Sequence, residues 1–308
     1  MEVYDLIIVG GGPAGITAGI YAQRARLKVM LLEKLGVGGQ IVLSDDVENY
    51  PGFRSISGFE LMQKFEEQAR AFDLEIVDRE VTEIRCEDGY NLVKTHDHDY
   101  KTKTVIIASG ARSRRLGATG EEEFIGKGVS FCATCDGFFF RGKDILVVGG
   151  GDSAITEALY LAKIVNKVYL VHRRSELRAT KILQERALEN PKIEVIWDSV
   201  VDEITGSNTV EGVTLRNVVT DELVELAVSG VFLYVGLMPN TEFTDAEKDD
   251  SGFIITDMNL ATAVAGVFAA GDCRTTALRQ VATAVGDGAL AVTSVERYLN
   301  SSRKPHPT

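Results

Sequence analysis

The strongest constraint on this chain is a pattern that it carries twice. Tyr4-Asp5-Leu6-Ile7-Ile8-Val9 is a short apolar run rich in β-branched residues. Gly10-Gly11-Gly12-Pro13-Ala14-Gly15 follows, a helical stretch runs from Ile16 to Arg26, and a second strand from Lys28 ends on Glu33. The order is strand, G-x-G-x-x-G, helix, strand, acid. Glycines so spaced allow a tight turn, let backbone N–H groups approach a pyrophosphate, and let the helix pack close to the sheet. Glu33 lies 18 residues after Gly15, where a carboxylate accepts from ribose hydroxyls. The pattern returns as the strand Asp144 to Val148, then Gly149-Gly150-Gly151-Asp152-Ser153-Ala154, a helix to about Ile164, and the strand Lys167 to Val171. Ala154 takes the place of the third glycine, a permitted variant.

Eighteen residues beyond Ala154 stands His172, followed by Arg173 and Arg174, with Arg178 close by. An acid repels a 2′-phosphate, whereas arginines pair with one bidentately. The first site therefore suits a dinucleotide with a free adenosine ribose, such as FAD, and the second suits NADPH.

Between the two patterns lies Cys132-Ala133-Thr134-Cys135-Asp136. Two thiols in C-x-x-C spacing close a small disulfide, and such pairs carry one lowered thiol pKa. Asp136 beside them is placed to act as general acid and base, which requires burial to raise its pKa. A structural zinc site needs four ligands. No second C-x-x-C exists, and Cys86 and Cys273 are isolated. His96-Asp97-His98-Asp99 reads as a solvated turn between strands rather than a metal site. The expected relay runs from a nicotinamide to a flavin to the cysteine pair.

The remaining chain supports two nucleotide domains. Gly36 to Gln40 and Val47 to Gly52 read as loops, Gly58 to Phe72 as an amphipathic helix, and Leu74 to Val93 as half-buried strands. Thr104 to Gly110 and Val231 to Gly236 are strands closing on glycine, and Lys192 to Ala227 alternates strands with polar turns. Pro239-Asn240-Thr241 punctuates a domain boundary. Gly266 to Asp272 is a strand ending in Gly271-Asp272, which brings a carboxylate to a ribitol hydroxyl. Arg279-Gln280-Val281 opens a helix ending near Leu299, whose N-terminus offers N–H groups to a flavin pyrimidine edge. Ser301 to Thr308 reads as a disordered tail.

At 308 residues the chain has the length of two domains. Its formal charge of −12 argues against nucleic-acid binding, which needs a basic footprint. No apolar stretch is long enough for a membrane span, and the start reads as a strand rather than a signal peptide. With one close cysteine pair among four cysteines, the expected location is cytoplasmic.

These residues together resemble the low-molecular-weight, bacterial-type thioredoxin reductases over essentially the whole chain. The resemblance is carried by Gly10 to Gly15, Gly38-Gly39-Gln40, Glu48-Asn49, Cys132 to Gly137, Gly149 to Ala154, His172-Arg173-Arg174 with Arg178, and Gly271-Asp272 with Arg279-Gln280. The cysteine run is the most specific part. It implies an α/β fold of two Rossmann-like FAD/NAD(P)-binding domains with three-layer ββα architecture, the second inserted in the first. The expected boundaries are 1–113 with 242–308 for FAD, and 114–241 for NADPH and the cysteines. The resemblance further implies a homodimer, a large rotation between domains, and thioredoxin as protein substrate. It extends the FAD site, through Gly10, Gly12, Pro13, Ala14, Gly15 and Glu33, to Lys34, Gly38, Gly39, Gln40, Asn49, Gly110, Gly271, Asp272, Arg279, Gln280 and Val281. The NADPH site comprises Gly149, Gly151, Asp152, Ser153, Ala154, His172, Arg173, Arg174 and Arg178.

By the same resemblance, Cys135 faces the flavin and Cys132 attacks the disulfide of thioredoxin. The sequence departs from the family at three points. Val281 stands where alanine is usual, its role falling to the backbone N–H. Thr156 replaces a frequent acid, with Glu157 retained, and Thr119 replaces a common proline. Competing readings are a related flavoprotein reductase feeding a peroxidase or another thioredoxin-like carrier, and a nucleotide-binding redox sensor without turnover. Peroxidase-linked relatives usually carry an extra N-terminal thioredoxin-like region, whereas Met1 here starts on the flavin strand. A ferredoxin-fed relative would not need the arginines. The relay predicts that Cys135→Ser leaves flavin reduction by NADPH intact and abolishes thioredoxin reduction. Stopped-flow absorbance and a coupled thioredoxin assay measure the two steps. A normal rate of thioredoxin reduction in that variant contradicts it.

Overall fold

The computed structural model describes residues 2–43, 47, 49–87 and 89–302, and the side chains at 43, 134, 135 and 302 lie outside that description. The chain forms two compact units, Met1–Arg112 with Met238–Thr308, and Ser113–Leu237.

The first unit opens with β1 (Val3–Val9), α1 (Pro13–Arg24), β2 (Val29–Glu33), α2 (Gly58–Ala71), β3 (Glu75–Asp78), β4 (Val81–Glu87), β5 (Tyr90–Thr95), β6 (Asp99–Ile107) and β7 (Ala111–Ser113). β1 pairs in parallel with β2 and β6, and β2 with β3. β5 and β4 continue the sheet from β6 in antiparallel fashion. The central strand is apolar from Leu6 to Val9 because both of its faces are covered. Leu6 and Ile8 join Ile16, Ala18 and Val292 in one core. Ile7 and Val9 point the other way, into a core with Val81, Ile84 and Val93. The period of two along one strand thus feeds two separate cores.

α1 begins at Pro13, three residues before the start expected from the sequence. Proline suits the first helical position because its fixed φ is helical and no partner is needed for an N–H there. α2 begins under a capping box: Ser57 Oγ accepts from Glu60 N at 3.2 Å, and Glu60 Oε2 accepts from Ser57 N at 3.4 Å. Gly39 and Gln40, expected in a loop, open a short 3-10 turn, Gly39–Leu43.

The second unit contains β8 (Val129–Ser130), α3 (Ala133–Asp136), β9 (Asp144–Val148), α4 (Asp152–Leu161), β10 (Lys167–Val171), α5 (Lys181–Leu188), β11 (Ile193–Ile196), β12 (Ser199–Gly206), β13 (Val210–Asn217), β14 (Leu223–Ala227) and β15 (Val231–Leu233), after which β16 (Leu237–Pro239) leads back into the first unit. A parallel sheet runs β11-β10-β9-β15-β8, and β12-β13-β14 form an antiparallel sheet. The layering of the first unit repeats. Ile145 and Val147 pack with Ala154, Ile155, Ala158 and Leu161 of α4. Leu146 and Val148 pack with Val201, Ile204, Val213 and Leu215 of the antiparallel sheet. α4 ends at Leu161, short of Ile164, where the chain turns to reach β10. β16 pairs with β7.

The chain then completes the first unit with β17 (Val267–Ala269), parallel to the end of β6, and α6 (Val281–Ser302). Ser301, expected in the tail, belongs to this helix, and its Oγ–H donates to Tyr298 O at 2.8 Å. Residues 303–308 lie outside the described residues. α6 crosses α1 so closely that a Cβ on Gly288 would lie 2.3 Å from the Ala14 carbonyl oxygen. Gly288→Ala is therefore expected to destabilise the unit by about 1–3 kcal/mol. A denaturant midpoint equal to that of the wild type would show that the two helices have room to part.

Candidate nucleotide and disulfide sites

In the first unit, the turn after β1 has no room for side chains. Gly10 has φ +110°, and a Cβ there would lie 2.3 Å from Ala108 O. A Cβ on Gly15 would lie 1.8 Å from Gly10 O. Gly12 caps α1 without a side-chain bond, and the first turn holds no acid. The leading N–H groups of the helix are thus left to an anion. Glu33, at the end of β2, sits under the turn. Its Oε2 accepts from Gly11 N at 2.6 Å, and its Oε1 accepts from Lys34 N at 2.8 Å and Leu35 N at 2.9 Å. The Lys34 side chain itself reaches Glu80 at 3.1 Å.

Gly38, Gly39 and Gly271 lie against the same turn. Gly38 N donates to Gly11 O at 2.9 Å. A Cβ on Gly39 would lie 3.3 Å from Gly12 Cα, and one on Gly271 would lie 3.0 Å from Ala14 Cβ. Asn49 Nδ2 donates to Gln280 Oε1 at 3.0 Å, joining the Val47 loop to the start of α6, while Glu48 lies outside the described residues. Gly110 has φ +67° and accepts from Asn240 N at 3.0 Å. Burial pushes the Asp272 carboxyl up, Arg279 pulls it back, and Asp287 adds to the rise. Arg279 stacks 4.0 Å from the Phe253 ring centroid, and Val281 is the buried first residue of α6. Gln40 is exposed. The set forms a cradle of backbone N–H groups, one ribose-height carboxylate and a second helix start, which fits FAD.

The second unit holds a similar turn. Gly149 has φ +153°, and a Cβ there would lie 2.6 Å from both Ala154 Cβ and Tyr234 O. Gly151 caps α4 without a side-chain bond. The Asp152 carboxylate faces α5, accepting from Thr180 N at 2.6 Å, so its backbone N–H and those of Ser153 and Ala154 are what the turn offers a phosphate. Arg173, Arg174 and Arg178 are exposed, and no ion pair among the described residues involves them. Arg178 N donates to Gly150 O at 2.7 Å, which fixes the arginine loop to the turn. His172 is different from its neighbours: it is buried, with its ring against Gly150. These residues fit a phosphorylated adenosine ribose.

Cys132 is half-buried and disulfide-bonded, whereas Cys86 and Cys273 are free thiols. The side chain of Cys135 lies outside the described residues. Asp136 N donates to Cys132 O at 3.2 Å across the single turn of α3. Ser130 joins Cys132 and Asp136. Its Oγ–H donates to Asp136 Oδ2 at 2.6 Å, and its Oγ accepts from Cys132 N at 3.1 Å. Cys273 is fully buried, and burial pushes its thiol up to about 11, so it packs as an inert side chain.

Several contributors carry no motif. Ser130 is one. Asp287 is another: it accepts from Gly271 N at 2.9 Å and pairs bidentately with Arg274 at 2.7 and 2.9 Å, fixing the Gly271 turn. Phe138 and Phe139, directly after the redox segment, are 64% and 65% exposed, which is rare for such side chains unless a partner covers them. Their run, Gly137-Phe138-Phe139-Phe140, is a signal that the sequence does carry. Thr156 is exposed, while burial pushes the Glu157 carboxyl up.

Comparisons with known proteins agree with this chemistry. The family described as pyridine nucleotide-disulphide oxidoreductase matches residues 4–288. The chain is 45% identical to the thioredoxin reductase of Peptoclostridium acidaminophilum over 310 residues, 98% of each chain. It is 46% identical to that of Bacillus subtilis, covering 97% of this chain and 95% of the relative. The crystal structure of thioredoxin reductase from Streptococcus pyogenes superposes with a TM-score of 0.81 at 50% identity, over 97% of this chain and 99% of that one.

Replacing Arg173, Arg174 and Arg178 together with alanine is expected to weaken NADPH by a factor of roughly ten or more while changing NADH little. Separate KM measurements for the two cofactors check this, and an equal loss for both removes the 2′-phosphate argument.

Proposed function

The chain belongs to the pyridine nucleotide-disulphide oxidoreductase family, and from that premise we propose that it is a thioredoxin-disulfide reductase that uses NADPH, FAD and a Cys132–Cys135 disulfide. The observation that carries the reading is the disulfide-bonded Cys132 held through Ser130 to Asp136, directly before two exposed aromatic side chains. The first-unit cradle would hold FAD through Gly10, Gly12, Gly15, Glu33, Gly271, Asp272 and the start of α6. The second-unit turn and Arg173, Arg174 and Arg178 would hold NADPH. When bound, FAD supplies a two-electron carrier between a nicotinamide hydride and a disulfide.

The residues of the chain carry the rest. In the reduced enzyme the Cys132 thiolate attacks one sulfur of the disulfide in thioredoxin, and the other sulfur leaves and takes a proton. The Cys135 thiolate then attacks the Cys132 sulfur, closing the enzyme disulfide, and the bound thioredoxin sulfur leaves and takes a proton as the second substrate thiol. Asp136 holds the proton that these steps exchange, and Ser130, bonded to both its carboxylate and Cys132 N, ties it to the Cys132 backbone. Phe138 and Phe139 offer the apolar face on which a protein substrate docks.

A reducing compartment fits the free thiols Cys86 and Cys273, and we assign the enzyme to the cytoplasm on that ground. No helix among the described residues is long and apolar enough to cross a membrane. The homodimer rests on the family resemblance.

Steady-state NADPH oxidation with thioredoxin tests the proposal. The Phe138→Ala and Phe139→Ala double variant is expected to raise KM for thioredoxin at least about fivefold, the equivalent of 1 kcal/mol. Flavin reduction by NADPH should be unchanged. An unaltered KM contradicts the docking face, and no thioredoxin-dependent turnover by the wild type contradicts the function.

A further inference from the structure

His172 is the one basic residue of the arginine segment that cannot touch a ligand from the surface. It is 5% exposed, and its Nε2 has no hydrogen-bond partner. A Cβ on Gly150 would lie 2.4 Å from both Cε1 and Nδ1 of its ring, so the imidazole supports the glycine turn from beneath. Gly150 O in turn accepts from Arg178 N at 2.7 Å and Ala179 N at 3.1 Å. On the other side, His172 N donates to Ile196 O at 3.0 Å and its carbonyl accepts from Ser199 N at 3.1 Å. Ring, glycine turn and arginine loop are therefore one packed assembly.

We propose that His172 is a proton-linked specificity residue: a 2′-phosphate docking on Arg173, Arg174 and Arg178 drives protonation of the imidazole beneath Gly150, so the preference for the phosphorylated nucleotide strengthens as the pH falls. The inference rests on the reading of the arginines as the 2′-phosphate site. It goes beyond that reading by giving the buried ring a separate role as a positioning residue.

The charges around the ring set the direction. Burial holds its pKa below the ordinary histidine value, and Arg178, Arg174 and Arg173 lower it further, with only the Glu176 backbone opposing. From the turn between β11 and β12, Asp198 meets this loop through its backbone, donating from N to Arg174 O at 3.4 Å. The free protein thus holds His172 neutral at pH 7. Burial is fixed, but a dianionic phosphate offsets the three arginines, so the pKa rises on binding. The coupling is reciprocal. The extra affinity is fully present below the free-protein pKa and is lost as the pH rises through the bound-state pKa. One linked proton limits the slope to about tenfold per pH unit. The phosphate has its own proton, with a pKa near 6, whose release on contact with arginine is common to protein with and without the imidazole.

Calorimetric titration of the holoenzyme with adenosine 2′,5′-bisphosphate, near pH 6.5 in two buffers of different ionisation heat, reads the proton count directly. 5′-AMP is the control, and wild type is compared with His172→Asn. The wild type should take up a measurable fraction of a proton more than the variant, for the bisphosphate only. Equal proton exchange in the two proteins, with the bisphosphate still bound more tightly than 5′-AMP, overturns the role of His172 and leaves the arginine site standing. No preference of the wild type for the bisphosphate overturns both. Should the variant not fold, the histidine Cε1–H resonances of the wild type decide. A rise in the titration midpoint of His172 on adding the bisphosphate supports the inference, and an unmoved midpoint overturns it.

Discussion

Each unit is organised by the crowding of a strand end, a helix start and a neighbouring strand carbonyl at one glycine turn. With 1.8 Å between a would-be Gly15 Cβ and Gly10 O, and 2.3 Å between a would-be Gly10 Cβ and Ala108 O, only bare backbone fits. That closeness has two consequences. It lets α1 lie against the sheet, so that Ile16 and Ala18 reach Leu6 and Ile8 in one core. It also leaves the first N–H groups of the helix without side-chain caps, in the place where a phosphate is stabilised by them and by the helix dipole. The close packing of α1 and its uncapped start are therefore the same geometric fact.

The two turns differ in what lies beneath their middle glycine. A Cβ on Gly11 would lie 3.1 Å from Glu33 Cγ, and one on Gly150 would lie 2.4 Å from the His172 ring. This is the physical meaning of the shared 18-residue offset: helix and second strand return the chain to a point directly under the turn. Under the first turn the group is a carboxylate bound to Gly11 N at 2.6 Å. Under the second it is an imidazole followed by exposed arginines. One scaffold thereby differs between the two units in the residue at one register position and in its neighbours.

Much of this is legible in the amino-acid sequence, because the glycine spacing, the apolar strand runs and the cysteine pair are local and bear directly on backbone geometry. The apolar run Leu6 to Val9 signals a strand covered on both faces, and two cores indeed divide its residues. The start of α1 is harder to place. Glycine spacing suggests a turn that lasts to Gly15, whereas Pro13 already takes helical geometry. Ser130 is illegible as a partner of Asp136, since a lone serine six residues upstream signals nothing until α3 folds back on it. Asp287 is hidden for a similar reason. It acts on Gly271 and Arg274 from inside α6, 16 and 13 residues away. The inward burial of His172 is also beyond the sequence, in which it looks like one more member of a basic cluster.

At the centre of this picture, a flavin and a sulfur pair in one chain are reduced in series by NADPH. An anaerobic titration of the oxidised holoenzyme with NADPH, followed by the visible flavin absorbance, tests it most directly. Two two-electron centres predict complete bleaching only after about two equivalents per subunit, with the colour restored by oxidised thioredoxin. Full bleaching at one equivalent, or colour that thioredoxin does not restore, would contradict it.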